Sequence, residues 1–207
     1  MRFEAFSPQQ RRVLTWWLAP ETRSLEAVIC DGAVRSGKTM CMGMSFFLWA
    51  MGCFDGAAFG LCGKTVASLR RNLLTQVLPA LGELGFQWEE RVSQSRVKLR
   101  FGGRENTFYL FGGRDEGRAA LIQGVTLAGV LLDEAALMPR SFVEQAYARC
   151  SVMGSRLWFS CNPEGLIVLC IIKIIKIDAG KRMRSGDLCG HKSVRWLSAR
   201  SSAFQGG

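Results

Sequence analysis

Short apolar runs alternate with helix-like segments along the first 165 residues of the chain. The runs rich in strand-forming residues are AVIC (27–30), AAFGLC (57–62), AGVLLDEA (128–135) and RLWFSCNP (156–163). Residues 38–51 and 66–84 instead repeat their apolar positions every three or four residues, which predicts two helices, the second ending near Gly85. This alternation predicts an α/β fold with a mainly parallel central sheet flanked by helices.

A second pattern adds antiparallel structure to this fold. RVKLRF (96–101) and NTFYLF (106–111) alternate between apolar and polar residues and flank Gly102-Gly103. This arrangement predicts a small β-hairpin. Pro139 is suited to the first turn of a further helix, which we expect to run to about residue 150.

The segment GAVRSGKT (32–39) lies between the first predicted strand and the first predicted helix. It fits the phosphate-loop pattern G-x-x-x-x-G-K-[ST] with Gly32, Gly37, Lys38 and Thr39. Its glycines would let the backbone N–H groups of the loop surround phosphate oxygens. Arg35 and Ser36 lie between the two glycines and would take part in this binding. Lys38 would neutralise the β- and γ-phosphates, and the Thr39 hydroxyl would bind Mg²⁺. The strand–loop–helix context favours a P-loop NTPase of the RecA/ASCE-like class.

A second GKT, residues 63–65, fails the spacing of that pattern. Ala58 stands where the first glycine of a phosphate loop would be needed. We therefore predict that Gly63-Lys64-Thr65 forms a turn that opens the second helix. Lys64, Arg70 and Arg71 are expected on a surface that faces either solvent or DNA.

The run GVLLDEA ends a hydrophobic strand with two carboxylates. Asp133 would hold Mg²⁺, and Glu134 would orient or deprotonate the attacking water. The alternative is an acidic pair that caps the following helix. The phosphate loop favours the catalytic interpretation, because open α/β sheets bind ligands at their strand ends.

The remaining motifs narrow the class of NTPase. The chain contains no NKxD string for guanine recognition and no LSGGQ-like signature of an ABC ATPase. A small-molecule kinase would not need a glutamate directly after the strand-end aspartate. The pattern is typical of ATPases with a strand-end catalytic glutamate, a group that includes helicases and DNA translocases.

Nearly all of residues 3–165 resembles one family, the large subunit of phage terminase (PBSX-like), in its N-terminal ATPase half. The resemblance lies in FSPQQRRVLTWW (6–17), CDGAVRSGKT (30–39), CGKTVASLRRN (62–72), YLFGGRDEGRAALIQGVTLAGVLLDEAALMPRSFVEQA (109–146) and FSCNPEG (159–165). It implies an ATP- and Mg²⁺-dependent motor that packages double-stranded DNA without sequence preference. It also implies a homo-oligomer in the cytoplasm of a bacterial host, with the portal protein and the terminase small subunit as partners.

The resemblance also implies roles for particular residues. Gln10 matches the adenine-reading glutamine ahead of the phosphate loop, the alternative being an exposed polar residue that starts a helix. Asn162 matches a residue that senses the γ-phosphate and couples hydrolysis to movement, the alternative being a strand-end turn. Arg35 corresponds to an arginine finger acting in cis, although many relatives place that arginine one residue earlier. Arg114 and Arg118 are alternatives for a finger or a DNA contact, or are solvated charges.

Charge and cysteine content fit this assignment. The net charge of +10 favours a polyanionic partner such as DNA, although a merely soluble basic protein is the alternative. Residues 166–207 contribute +6 of it (8 Lys/Arg, 2 Asp/Glu). The eight cysteines form no CxxC and no Cys/His cluster, which favours a reducing cytoplasm. No apolar run approaches the roughly 20 residues that span a bilayer, so we expect no membrane association.

The resemblance stops at residue 165. Residues 166–207 form an Ile/Lys run followed by a basic, Ser/Arg-rich end, with Asp178 and Asp187 as the only acids. A two-metal nuclease needs several convergent carboxylates, so we expect no nuclease activity from this sequence. Our hypothesis is that a frameshift or rearrangement near codon 166 produced a prophage remnant. The alternative is a genuine basic tail that binds DNA.

Two further functions stay open from the sequence. The first is a helicase-type ATPase fragment, which would need a second RecA-like domain. The second is a catalytically dead chain that binds nucleotide without turning it over. Translation of the downstream nucleotides in the other two frames would test the origin of the tail, because a frameshift requires a nuclease-like continuation there.

Overall fold

A computed structural model describes residues 6–31, 37–113 and 124–161, together with the backbone of 183–185 and 193–197. Its helices are α1 (Pro8–Thr15), α2 (Lys38–Cys53), α3 (Val66–Leu69), α4 (Thr75–Glu83) and α5 (Arg140–Ala148). Its strands are β1 (Ala27–Asp31), β2 (Ala58–Gly63), β3 (Gln87–Arg91), β4 (Arg96–Phe101), β5 (Arg104–Gly112), β6 (Gly129–Leu132), β7 (Arg156–Cys161), β8 (Met183–Ser185) and β9 (Ser193–Leu197).

The nine strands of the described residues form one sheet in the order β3-β4-β5-β2-β6-β7-β1-β9-β8. The five central strands, from β5 to β1, are parallel to one another. The hairpin β4–β5 extends one side of the sheet, and β9 pairs antiparallel with β1 on the other side. The predicted α/β fold with a mainly parallel sheet and a small hairpin is therefore confirmed.

The buried strands alternate between two hydrophobic cores, one on each face of the sheet. In β1, Val28 and Cys30 face the larger core, whereas Ala27 and Ile29 face the smaller one. Helices α1, α2 and α4 cover the larger core, and α5 covers the smaller one. Successive side chains of a strand point to opposite faces of the sheet, and both faces are covered by helices. The central strands are therefore continuous apolar runs in the sequence.

Helix α2 is the central helix of the larger core. An unbroken run from Cys41 to Phe47 is buried within it. The Phe46 ring packs edge-to-face against Phe59 and Trp158, with centroids 5.8 and 5.1 Å away. The Trp158 indole N–H also donates to Ser45 Oγ at 3.2 Å. These contacts fix the helix that follows the phosphate loop against strands β2 and β7.

Two elements differ in detail from the sequence prediction. The helix predicted over 66–84 is interrupted by a π-helical turn at Arg70–Leu74. This turn lies directly before Thr75. In a regular helix the Thr75 carbonyl would accept a hydrogen bond from the N–H of residue 79, but Pro79 has no N–H. Strand β3 was not predicted, because its sequence QWEER lacks apolar alternation and its residues are mostly exposed.

Candidate nucleotide-binding and catalytic site

The phosphate-loop segment connects β1 to α2, as its pattern requires. Strand β1 ends at Asp31 and α2 begins at Lys38, while Gly32, Arg35 and Ser36 lie outside the described residues. Gly37 precedes the helix with φ +75°, a left-handed conformation that glycine adopts without a steric penalty. Its carbonyl accepts the first helical hydrogen bond from Cys41 N at 3.1 Å. The predicted strand–loop–helix context is confirmed, and Lys38 and Thr39 occupy the first turn of α2.

Thr39 and Asp133 meet although 94 residues separate them. The Thr39 hydroxyl donates to Asp133 Oδ1 at 3.3 Å. Asp133 directly follows β6, and its backbone N–H donates to the Cys62 carbonyl at 2.8 Å, which fixes the strand end. The structure thus joins the predicted phosphate loop to the predicted metal-binding carboxylate, as a P-loop NTPase site requires.

Burial dominates the electrostatics of Asp133. Only 5% of the residue is exposed, and this desolvation, together with the neighbouring Glu134, raises the pKa of its carboxyl group. Hydrogen bonds from the hydroxyls of Thr39 and Ser160 and the charge of Lys38 act in the opposite direction. The carboxylate therefore sits in a partly desolvated position where a cation would stabilise its charged form.

Lys38 lies among carboxylates at the same edge of the sheet. Burial lowers the pKa of its ammonium group, and Asp31 provides the largest opposing effect, with a smaller one from Asp133. One carboxylate oxygen of Asp31 is buried and makes no hydrogen bond in the described structure. The described part of the site thus holds one ammonium group and two carboxylates, and a bound divalent cation would offset this excess of negative charge when phosphate enters.

Glu134 has an unusual backbone conformation. Its φ of 56° and ψ of 45° lie in the left-handed region. Among the described residues, Glu134 is one of two non-glycine residues with a positive φ. A short 3₁₀ turn, Ala135–Leu137, follows it, and the Leu137 N–H donates to the Glu134 carbonyl at 2.8 Å. Such conformations cost energy and cluster at functional sites. Glu134 does not cap α5, because Pro139 precedes that helix.

Gln10 reaches the same site from α1. It is half-buried, and its side-chain nitrogen lies against Gly37, 2.9 Å from the position that a Cβ on Gly37 would take. The structure therefore places the Gln10 side chain beside Gly37, and its predicted adenine contact stays a prediction. Asn162, Arg114 and Arg118 lie outside the described residues.

The second GKT segment forms a helix cap. Gly63 ends β2, and the Thr65 hydroxyl accepts a hydrogen bond from Ser68 N at 3.0 Å. In return, Thr65 N donates to Ser68 Oγ at 3.1 Å. This reciprocal pair is a capping box at the start of α3, so the prediction of a helix-opening turn is confirmed.

Sequence reasoning missed two residues of the site. Asp31 ends the strand before the loop, and a polar residue at the end of an otherwise apolar run was the available signal. Ser160 lies within an apolar strand, where nothing marks it. The register that pairs Leu132 with Phe159 places Ser160 beside Asp133, and this register is not readable from the sequence.

Thr39 and Asp133 place two side-chain oxygens next to each other, where they could serve as ligands of a metal ion. Mg²⁺ commonly binds in this way, through one or two protein oxygens with phosphates and water completing its shell. In the described ranges, no group of three or more His, Cys, Asp or Glu side chains is arranged to hold a metal ion. The Thr39 and Asp133 oxygens fit a Mg²⁺ ion whose remaining ligands are phosphate and water.

Membrane-spanning structure was not expected from the sequence. No helix in the described part of the chain is long and apolar enough to cross a bilayer.

The fold and the site together define the catalytic domain of a P-loop NTPase. No protein-family model and no curated protein matches the sequence. Among solved structures, the large terminase of a thermophilic bacteriophage is 45% identical, with a TM-score of 0.79 over 84% of this chain and 44% of that chain. The same terminase in complex with ATP-γ-S is 44% identical, with a TM-score of 0.74 over 84% of this chain and 42% of that chain.

A more distant structure shares the fold. The large terminase ATPase domain of Thermus phage P74-26 is 21% identical, with a TM-score of 0.54 over 77% of this chain and 70% of that chain. At 45% identity, this chain is similar to one part of a phage large terminase, and the match is consistent with the N-terminal domain of a terminase large subunit. It spans less than half the length of that terminase.

Proposed function

We propose that this chain binds ATP with Mg²⁺ and hydrolyses it as the motor domain of a phage or prophage large terminase. The contact between Thr39 and Asp133 carries the proposal, because it brings together the two protein oxygens that a P-loop NTPase offers to its metal ion. Related terminase structures support it, since the terminase of the thermophilic bacteriophage has been solved in complex with ADP and with ATP-γ-S.

Each described site residue has a task in this proposal. Lys38 neutralises the phosphates from the first turn of α2, whose positive dipole end faces the same point. Thr39 and Asp133 hold Mg²⁺, which would supply charge neutralisation at the transferred phosphate. Glu134 orients or deprotonates the attacking water. From the undescribed segments, Gly32 and Ser36 would line the phosphates, Arg35 would act as a finger in cis, and Asn162 would sense the γ-phosphate.

The proposed work of this ATPase is DNA packaging in the cytoplasm of a bacterial host. The net charge of +10 suits sequence-independent attraction to the phosphate backbone of double-stranded DNA. The portal protein, the small subunit and further copies of the chain are the partners that the family implies. We further propose that residues 1–165 form the ATPase domain and that 166–207 form a basic tail without nuclease activity.

ATP turnover by the purified chain tests the proposal. We expect Mg²⁺-dependent hydrolysis that falls by roughly two to four orders of magnitude in Lys38→Ala and in Glu134→Gln, as loss of a general base or a charge-stabilising group does. Lys64→Ala is the matched control, since it removes the lysine of the second GKT and should leave basal turnover unchanged. Wild-type turnover no higher than that of Lys38→Ala would refute the enzymatic function.

A measurement of nucleotide binding distinguishes the proposed ATPase from a catalytically dead domain. A catalytically dead domain would bind ATP-γ-S with no hydrolysis of ATP by the wild type. Binding measured beside turnover therefore distinguishes a motor domain from a nucleotide-binding fragment.

A further inference from the structure

The side-chain amide of Gln10 connects the N-terminal cap of α1 with Gly37, the residue before α2. Its oxygen accepts a hydrogen bond from Ser7 N at 2.9 Å, while its own backbone N–H donates to Ser7 Oγ at 3.3 Å. This reciprocal pair is a capping box at the N-terminus of α1. The amide nitrogen points the other way and packs against Gly37, the residue that precedes α2.

Helix α1 is held firmly at its other end. Trp16 directly follows it, is 1% exposed and packs edge-to-face on Trp158 of β7, with centroids 4.9 Å apart. The Arg156 guanidinium lies over the Trp16 ring at 5.1 Å and donates to the Arg23 and Trp17 carbonyls. A helix anchored on β7 can therefore serve as a fixed support for the Gln10 side chain.

Gly37 is the point at which this support acts on the site. Its left-handed conformation turns the chain into α2, and its carbonyl accepts the hydrogen bond from Cys41 N. Lys38 and Thr39 follow directly, so a displacement of Gly37 would move both side chains relative to Asp133. A glycine in this conformation has no side chain of its own to hold it, and Gln10 packs where one would be.

We propose that Gln10 is a positioning residue that fixes Gly37, and through it Lys38 and Thr39, whatever base the nucleotide carries. The inference rests on the proposed nucleotide function and gives Gln10 a role in addition to the adenine reading that the family resemblance implies. The side-chain amide has the capacity for both roles, because its oxygen can accept two hydrogen bonds and its nitrogen can donate two. Ser7 N occupies one position on the oxygen, and the nitrogen lies against Gly37.

Three variants of the full chain separate these roles. Gln10→Glu keeps the oxygen that caps α1, since glutamate is itself favoured at this position of a capping box, but removes the amide nitrogen at Gly37. Gln10→Met keeps the length without added charge and controls for repulsion between Glu and phosphate. Ser7→Ala removes the other half of the cap and leaves the Gln10 side chain intact.

Two measurements report on the proposal. The first is amide hydrogen exchange at Cys41 in nucleotide-free protein, which follows the bond to Gly37 directly. The second is the affinity for ATP-γ-S and for GTP-γ-S. We expect faster exchange at Cys41 in both Gln10 variants. We also expect a loss of GTP-γ-S affinity by a factor of roughly three to ten, the size of one modest polar contact, and a loss of ATP-γ-S affinity at least as large. Ser7→Ala should lower the melting temperature without either effect.

Two results would overturn the proposal. A loss of affinity confined to ATP-γ-S, with unchanged exchange at Cys41, would leave adenine reading as the role of Gln10 and exclude the positioning role. If the Gln10 variants and Ser7→Ala changed exchange at Cys41 and nucleotide affinity to the same extent, the role of Gln10 would be limited to capping α1. If the wild type bound neither nucleotide, the proposed function would fail, yet exchange at Cys41 would still decide whether Gln10 holds Gly37.

Discussion

The Thr39 hydroxyl lies 3.3 Å from Asp133 Oδ1 and donates a hydrogen bond to it, joining the first turn of α2 to the end of β6. One strand, β7, separates β6 from the strand that enters the phosphate loop. The pairing of these parallel strands therefore determines the distance between the Thr39 and Asp133 side-chain oxygens. The site depends on sheet order as much as on the loop itself.

Removal of the Thr39 hydroxyl should impair metal use without unfolding the protein. Thr39→Val keeps the shape of the side chain but provides no oxygen for Mg²⁺ and no donor for Asp133. We expect turnover at fixed Mg²⁺ to fall roughly ten- to a hundredfold, since contacts to charged groups are worth about 1.5–3 kcal/mol. Turnover measured across a Mg²⁺ titration should show a higher metal requirement.

Thr39→Ser is the matched control for this effect. It restores the hydroxyl and should recover most of the activity and the normal Mg²⁺ requirement. Equal losses in Val and Ser variants with the same melting temperature would contradict a role for the hydroxyl.

The buried carboxylate of Asp133 should make the nucleotide-free protein less stable at neutral pH. Its pKa is raised above the ordinary value of 3.8 in the folded state, so folding favours the protonated form. The folded protein then binds more protons than the unfolded chain, and stability falls as pH rises from about 4 through the raised pKa. Asp133→Asn removes this titration, and its amide oxygen can still accept from Thr39.

Thermal melting of the Asp133→Asn variant across pH checks this sign. We expect the variant to melt above the wild type at pH 7 to 8, with the difference shrinking towards pH 4. Glu144→Gln, at an exposed ion pair with Arg140, is a suitable control that should change little, because exposed pairs contribute little. A difference that grows towards acid pH would show that Asp133 is stabilised as the carboxylate.

The residues of the phosphate loop were predictable because a fixed motif carries their chemistry. Gly37, Lys38 and Thr39 follow from spacing alone, and the strand before them follows from its apolar residues. The rejection of the second GKT also followed from spacing, and Thr65 indeed caps a helix. Local signals of this kind require no knowledge of which strands are neighbours.

Features that depend on strand pairing were not predictable in the same way. Ser160 reaches Asp133 only because β7 pairs with β6 in one register. Strand β3 is polar and exists through its pairing with β4. The backbone conformation of Glu134 likewise comes from the turn that follows β6, since a glutamate has no intrinsic preference for positive φ.

That conformation of Glu134 should cost stability in return for catalysis. Its φ of 56° and ψ of 45° are unfavourable for a glutamate by about 1 kcal/mol, whereas asparagine tolerates this region. Glu134→Asn should therefore abolish ATP turnover while raising the melting temperature by roughly 2–4 °C, the shift that 1 kcal/mol produces in a domain of this size. Glu134→Ala is the matched control, because it removes the same carboxylate but lacks the short polar side chain whose local hydrogen bonds let asparagine adopt the left-handed region. It should lose turnover equally and gain less stability. Melting temperatures that are equal in the Asn and Ala variants would show that the carboxylate, and not the backbone, is the source of any destabilisation at this position.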